Sequence, residues 1–162
     1  VQVRLMYLPP LEARMPIVNF HLVEGRSTQA QNERLLGEAC RFYAEVLASP
    51  IDRVRAFITM HRADQFAVAG ELVTDADRHA PFFECIVLEG RPLEQRQRLL
   101  AGFTDLIVDI LGAPRELVRG ACRRVDPADW SIGGTPASVL REAEVRARAE
   151  AAARAGLDEN GP

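Results

Sequence analysis

Residues 16–26 read PIVNFHLVEGR and residues 81–91 read PFFECIVLEGR. The tripeptide Glu24-Gly25-Arg26 returns as Glu89-Gly90-Arg91, 65 residues on. Farther along, ERLL at 33–36 matches QRLL at 97–100 with an offset of 64. That offset then holds for Pro50 and Pro114, Val54-Arg55 and Val118-Arg119, Phe66 and Trp130, and Gly70 and Gly134. One extra residue in the first copy, near positions 27–31, accounts for the change. Self-similarity on this scale marks an internal duplication, and it decides the architecture before any local reading does.

Each copy carries the same order of signals. Residues 17–23 and 82–88 are short, rich in Val, Ile, Phe and Leu, and bounded by Pro and Gly, as suits a strand buried on at least one face. In the first copy Ser27 or Thr28 can cap a helix, with Gln31 three residues after Thr28. In the second, Pro92 falls where a first helical position should be. Leu35, Ala39, Phe42, Tyr43, Val46 and Leu47 share one helical face, and Leu99, Leu100, Phe103, Leu106, Ile107, Ile110 and Leu111 do so more cleanly. Pro50 marks the end of the first helix, and Gly112 with Pro114 ends the second. Then Val54, Ala56, Ile58 and Met60 alternate with Arg55, Phe57 and Thr59 as a second strand, with residues 117–125 as the counterpart.

Strand, helix, strand predicts parallel strands joined by a right-handed crossover. A unit of about 60 residues buries only about 60% of its unfolded surface and is marginal alone. The predicted fold is therefore α/β: tandem β-α-β repeats sharing one four-stranded sheet, with both helices on one face. The other face also needs a cover, which predicts a homo-oligomer. The repeat boundaries give an extension at 1–15, a first unit at 16–70, a linker at 71–80 and a second unit at 81–138. A tail at 139–162, rich in Ala, Arg and Glu, should be helical and solvated, then disordered from 157.

Composition excludes several classes of function. The 162 residues are 48% hydrophobic and carry a formal charge of −3, with arginine supplying the positive charge. There is no basic footprint for nucleic acid and no cationic face for a membrane surface. No apolar run reaches the roughly 18–20 residues that span a bilayer. Cys40, Cys85 and Cys122 form no CxxC pair and read as reduced, buried small hydrophobes of a cytoplasmic protein. His21, His61 and His79 have no carboxylate or second histidine at ligand spacing, so each reads as structural or surface and no metal is expected. No GxSxG, P-loop, dinucleotide fingerprint or HExxH occurs.

The chain opens VQVRLMYLPPLEAR, without methionine and with charges at Arg4, Glu12 and Arg14, and lacks the apolar core of a signal peptide. Met15 then precedes Pro16, and methionine before proline is readily removed after initiation. Two readings stand: a translated start placed too far upstream, with a mature chain beginning at Pro16, or a genuine extension.

Arginines 26, 55, 91 and 119 occupy equivalent places in the two copies. Arg26 and Arg91 fall at strand-to-helix turns, where a fixed cation and a helix N-terminus could receive an anionic substrate. Pairing with a neighbouring glutamate is the structural alternative.

The run PIVNFHLVEGRS with its amphipathic helix, Pro50, Val54-Arg55, Phe66 and Gly70 resembles the 4-oxalocrotonate tautomerase family. So does the second copy, through Trp130-Ser131-Ile132-Gly133-Gly134, and together they cover about 16–138. The tandem arrangement is similar to fused members of that superfamily. The resemblance implies a cofactor-independent keto–enol isomerase of aromatic catabolism acting on a small 2-oxo acid such as 2-hydroxymuconate, assembled as a trimer of fused chains. It implies Pro16 as an N-terminal amine base, Arg26 and Arg55 as catalytic cations, and Arg91, Arg119, Phe66 and Trp130 as substrate-binding residues. Family pockets combine neighbouring subunits, so which copy's arginines face Pro16 stays open.

A terminal proline is a secondary amine. An ordinary α-amino group has a pKa of about 7.7–8.0, and cations with an apolar wall lower it further. Pro81 follows Ala80, so its nitrogen is an amide and cannot be a base. The first copy departs from the pattern at Gln65–Gly70, which lacks the first glycine of the Gly133-Gly134 pair, so its turn is expected to differ. The apolar Val68 and Ile132 stand where haloacrylate-hydrating relatives carry an acid, which argues against dehalogenation. Other readings are a superfamily enzyme acting on a phenylpyruvate-like keto acid or a haloacid, or a silent assembly or binding member should Pro16 not be N-terminal.

Overall fold

The computed structural model describes residues 16–75 and 78–158. The extension at 1–15 and the last four residues of the tail lie outside the described residues.

Alternation builds the first strand. In β1 (Ile17–Val23) Val18, Phe20 and Leu22 are fully buried on one face, while Ile17, Asn19 and His21 are half-buried on the other. β2 (Arg55–His61) pairs with it in parallel, from Ile17 opposite Arg55 to Val23 opposite His61. On its other side β1 meets β5 (Phe82–Leu88), antiparallel, with Ile17 opposite Ile86 and His21 opposite Phe82. β6 (Arg119–Val125) completes the order β2-β1-β5-β6. The two repeats thus join through their first strands, running in opposite directions.

The crossovers are α1 (Gln29–Leu47) and α2 (Leu93–Leu111). Thr28 is the N-cap of α1: its Oγ1 accepts from Gln31 N at 3.1 Å, and Gln31 Oε1 accepts from Thr28 N at 2.9 Å. Pro92 is the N-cap of α2 and not its first helical residue, because its ψ of 148° is still extended. Gly112, with φ +69°, ends α2 in the left-handed conformation that glycine adopts without a Cβ clash. Both helices lie on the Phe20–Phe83 face of the sheet, where Leu35, Tyr43, Leu99, Phe103 and Ile107 close one core with Val18, Phe20 and Phe83. The buried Tyr43 hydroxyl donates to Ile86 O at 2.6 Å.

A two-residue hairpin follows β2. β3 (Ala67–Val68) and β4 (Glu71–Leu72) flank Ala69 and Gly70, both at positive φ (54° and 80°). This is the mirror-image turn that suits strand twist. Gly133 and Gly134 adopt the same signs, 59° and 87°. The missing glycine therefore does not change the turn. Ala69 takes the left-handed conformation instead, at a cost of about 1–2 kcal/mol. Glu71 and Leu72, read from sequence as the start of the linker, are consumed by β4.

The chain divides into two compact units, the second beginning at Val125. Within it β7 (Ser131–Ile132) pairs with β8 (Thr135–Pro136), and Ser131 Oγ accepts from Gly134 N at 3.1 Å. α3 (Ala137–Asp158) begins two residues before the expected tail helix and continues past 157, where disorder was expected. Its alanines, arginines and glutamates are strong helix formers and sustain it without an apolar face.

Candidate active site

The antiparallel join fixes which residues share an end of the sheet. Pro16 opens β1, and its carbonyl accepts from Arg55 N at 2.9 Å. Because β5 runs the other way, its last residues lie beside the start of β1, and Arg91 follows them three residues past Leu88. Arg91 Nη1 donates to Leu47 O, at the C-terminus of α1, at 3.3 Å and to Gln95 Oε1 at 3.4 Å. Pro16, Arg55 and Arg91 thus share one end.

The other end repeats the arrangement with the copies exchanged. Pro81 O accepts from Arg119 N at 3.1 Å. Arg26, after the turn that closes β1, donates to Val73 O at 3.5 Å, and Val73 N donates to Phe66 O at 3.0 Å. His21, Phe66, His79 and Pro81 line a crevice there with no room for a water molecule. Drug-sized ligands occupy clefts of about 300–1,000 Å³. Arg26 therefore does not meet Pro16 within one chain. The seven residues of β1 separate them, roughly 23 Å at about 3.3 Å per residue. Trp130 lies in the second unit, half-buried, its carbonyl accepting from Ala137 N at 2.7 Å as Phe66 does from Val73. Its indole N–H is a buried donor with no hydrogen-bond partner among the described residues.

The arginines at the strand starts are held alike. Arg55 Nη1 donates to Asp52 O and Val54 O at 3.0 and 3.3 Å. Arg119 Nη1 donates to Glu116 O and Val118 O at 2.7 and 3.1 Å. Both side chains are exposed, so each presents a cation oriented by its own preceding turn. The rings of Pro16 and Pro81 are fully buried.

A pair of histidines escaped the sequence reading. His21 Nδ1 and His61 Nε2 are 2.8 Å apart, with rings stacked at a centroid distance of 5.1 Å. Phe82 packs on His21 at 5.5 Å and Phe66 on His61 at 5.7 Å. The residues are forty positions apart, and only the parallel register of β1 and β2, with odd-numbered residues on the open face, brings them together. Burial lowers the pKa of His21, and His61 adds to this, while Glu84 pulls the other way. Its folded pKa is thus below the 6.5 of the unfolded chain. Protons then bind the unfolded state more readily in that interval, and stability falls as pH drops through it. The thermal midpoint is expected to decline from pH 6.5 downward, and His21→Gln to flatten that decline before the carboxylates titrate. An unchanged slope in the variant contradicts the assignment.

Cys40, Cys85 and Cys122 are free thiols. Among the described residues no group of three or more His, Cys, Asp or Glu could hold a metal ion, and no helix is long and apolar enough to cross a membrane.

Two β-α-β units, each opening on a proline and carrying arginines at matched turns, define a duplicated tautomerase-type fold. The family described as tautomerase enzyme matches residues 16–76 and again 81–139. The chain belongs to this family of tautomerases, which are cofactor-independent isomerases. Probable tautomerase RSp0893 of Ralstonia nicotianae is 37% identical over 62 residues, covering 38% of this chain and 89% of the relative. A 2-hydroxymuconate tautomerase of Pseudomonas putida is 36% identical over 64 residues, 40% of this chain and all of the relative. In fold, the chain is similar to the crystal structure of native fused 4-OT, with a TM-score of 0.72 at 24% identity over 76% of this chain and 98% of that one. It is likewise similar to an asymmetric trimer of a fused 4-OT named F6, with a TM-score of 0.70 at 22% identity and the same coverage.

Proposed function

We propose that this chain interconverts the enol and keto forms of a small 2-oxo acid, a dicarboxylate like 2-hydroxymuconate, with Pro16 as an N-terminal amine base. The observation that carries the proposal is the meeting of Pro16, Arg55 and Arg91 at one end of the sheet, a potential base beside two cations. The amine accepts the enol proton and returns it to carbon, so no net proton is consumed. Arg91 holds the far carboxylate. Arg55, exposed and preoriented, stabilises negative charge growing on the carbonyl oxygen. Arg26, Arg119 and Phe66 stand at the opposite end and would serve a Pro16 only from another subunit, and Trp130 would serve as a pocket wall.

The assembly we propose is a cytoplasmic trimer of this chain, equivalent to six single units, in which the open sheet face is covered and the pocket completed. Phe57, 48% exposed on that face, is one of the groups it would bury. The name of the 36% identical Pseudomonas putida relative, a 2-hydroxymuconate tautomerase, supports the substrate class.

Spectrophotometric ketonisation of 2-hydroxymuconate by a chain beginning at Pro16 tests the proposal. Arg55→Ala is expected to lower kcat by about 10²-fold or more, and Arg91→Ala to raise KM. Full turnover in both variants removes the two cations from the reaction. Activity on phenylenolpyruvate but not on the dicarboxylate shifts the reading to another substrate. A silent, binding member is the reading if residues 1–15 remain attached, because Met15 then acylates the Pro16 nitrogen.

A further inference from the structure

We infer that Cys85 and Cys122 form a reversible oxidation site, a thiol pair that peroxide converts to a disulfide joining the outer strand β6 to β5. The two strands are neighbours in the sheet. Their register follows from the repeat. Arg119 N donates to Pro81 O as Arg55 N donates to Pro16 O, and in the first copy that bond begins a ladder with Ile17 opposite Arg55 and Phe20 opposite Ile58. Transferred to the second copy, it sets Phe82 opposite Arg119 and Cys85 opposite Cys122. Phe83 agrees with this register, since its ring lies where a Cβ on Gly120 would fall.

Adjacent strands run about 4.8 Å apart, within the roughly 4.4–6.8 Å between Cα atoms that a disulfide spans. Both side chains lie on the helix-covered face, Cys85 within the core and Cys122 packed against it. The first copy carries Phe20 and Ile58 at these positions. The fold therefore does not require cysteine there.

The two sulfurs differ in environment. Cys85 is fully buried, and both the neighbouring Cys122 thiol and burial push its pKa up. Cys122 is half-buried on the edge strand, and its pKa is lowered by the neighbouring Cys85 thiol and then by Arg96 and Arg124, against burial. Cys122, the thiol nearer solvent and under the field of Arg96 and Arg124, is thus the nucleophile and the enclosed Cys85 the resolving thiol. The Cys122 thiolate attacks one peroxide oxygen, the O–O bond breaks, and hydroxide leaves to take a proton as water. The Cys85 sulfur then displaces hydroxyl from the sulfenic acid, its own proton leaving with that hydroxyl as a second water. Two thiols are oxidised and one peroxide is reduced to two waters.

The test is peroxide treatment of the full chain, alkylation of remaining thiols, and mass analysis of the intact chain and its peptides. The count of alkylatable thiols is expected to fall from three to one, with Cys85 and Cys122 peptides cross-linked and Cys40 still free. Dithiothreitol should restore all three. Cys40→Ser should keep the cross-link and Cys122→Ser should lose it. Three thiols still free, a cross-link through Cys40, or sulfinic acid on Cys122 beside an intact Cys85 would each overturn the inference. None of these readouts depends on tautomerase activity.

Discussion

A chain whose first residue is Pro16 is expected to ketonise 2-hydroxymuconate about 10²–10⁴ times faster than its Pro16→Ala counterpart, the range that a positioned general base contributes. The same loss is expected when residues 1–15 stay attached. An acylated proline nitrogen gives its lone pair to the carbonyl and has no basicity to offer. A free ring nitrogen starts from an α-amino pKa of about 7.7–8.0. Arg55 and Arg91 at the same end of the sheet disfavour its protonated form and bring the base nearer neutrality. The ascending limb of kcat/KM against pH should report that value, below the range of an unperturbed amine. Intact mass of the active species, read beside the rate, separates the cases: an active chain still carrying residues 1–15, or undiminished turnover in Pro16→Ala, removes proline as the base.

The largest expected loss of stability comes from Phe103→Ala. The ring is fully buried and meets Phe20 at 5.9 Å, Phe42 at 5.3 Å, Tyr43 at 5.2 Å and Phe83 at 5.6 Å. Three of these partners belong to the first repeat and one to the second. Truncating a buried phenylalanine typically costs about 3–5 kcal/mol, from lost transfer energy plus the cavity left behind, and edge-to-face pairs of this kind add about 0.5–1.5 kcal/mol each. Urea unfolding should show the unfolding free energy falling by that amount, as a lower midpoint at constant slope, in a single transition, because the ring ties the two repeats together. Leu93→Ala, at a residue 57% exposed, should shift it by no more than about 0.5 kcal/mol. A loss under about 1 kcal/mol for Phe103→Ala would mean the two halves are not joined there.

Much of this architecture is legible in the chain. The bounds 17–23 and 82–88 were set by proline, glycine and β-branched residues, and β1 and β5 occupy them. Helical periodicity named Leu35, Tyr43, Leu99 and Phe103, all fully buried. These are local signals of spacing, and each copy repeats them. What escaped reading is non-local. Periodicity says nothing of the direction in which two repeats meet, so the grouping of Pro16 with Arg91, and of Arg26 with Pro81, needed the antiparallel pairing of β1 with β5. His21 and His61 are forty positions apart and meet only through strand register. The hairpin erred in the opposite sense: composition predicted a different turn, yet Ala69 accepts a glycine conformation because the closing strands hold it there.

The head-to-tail seam between β1 and β5 also has a genetic meaning. The Pseudomonas putida relative matches along its whole length over 64 residues, the length of one such unit. Here each extremity of the sheet draws on separate codons: Pro16, Arg55 and Arg91 for one, Pro81, Arg119 and Arg26 for the other. Selection can therefore alter the residues of one extremity without altering the codons of the other.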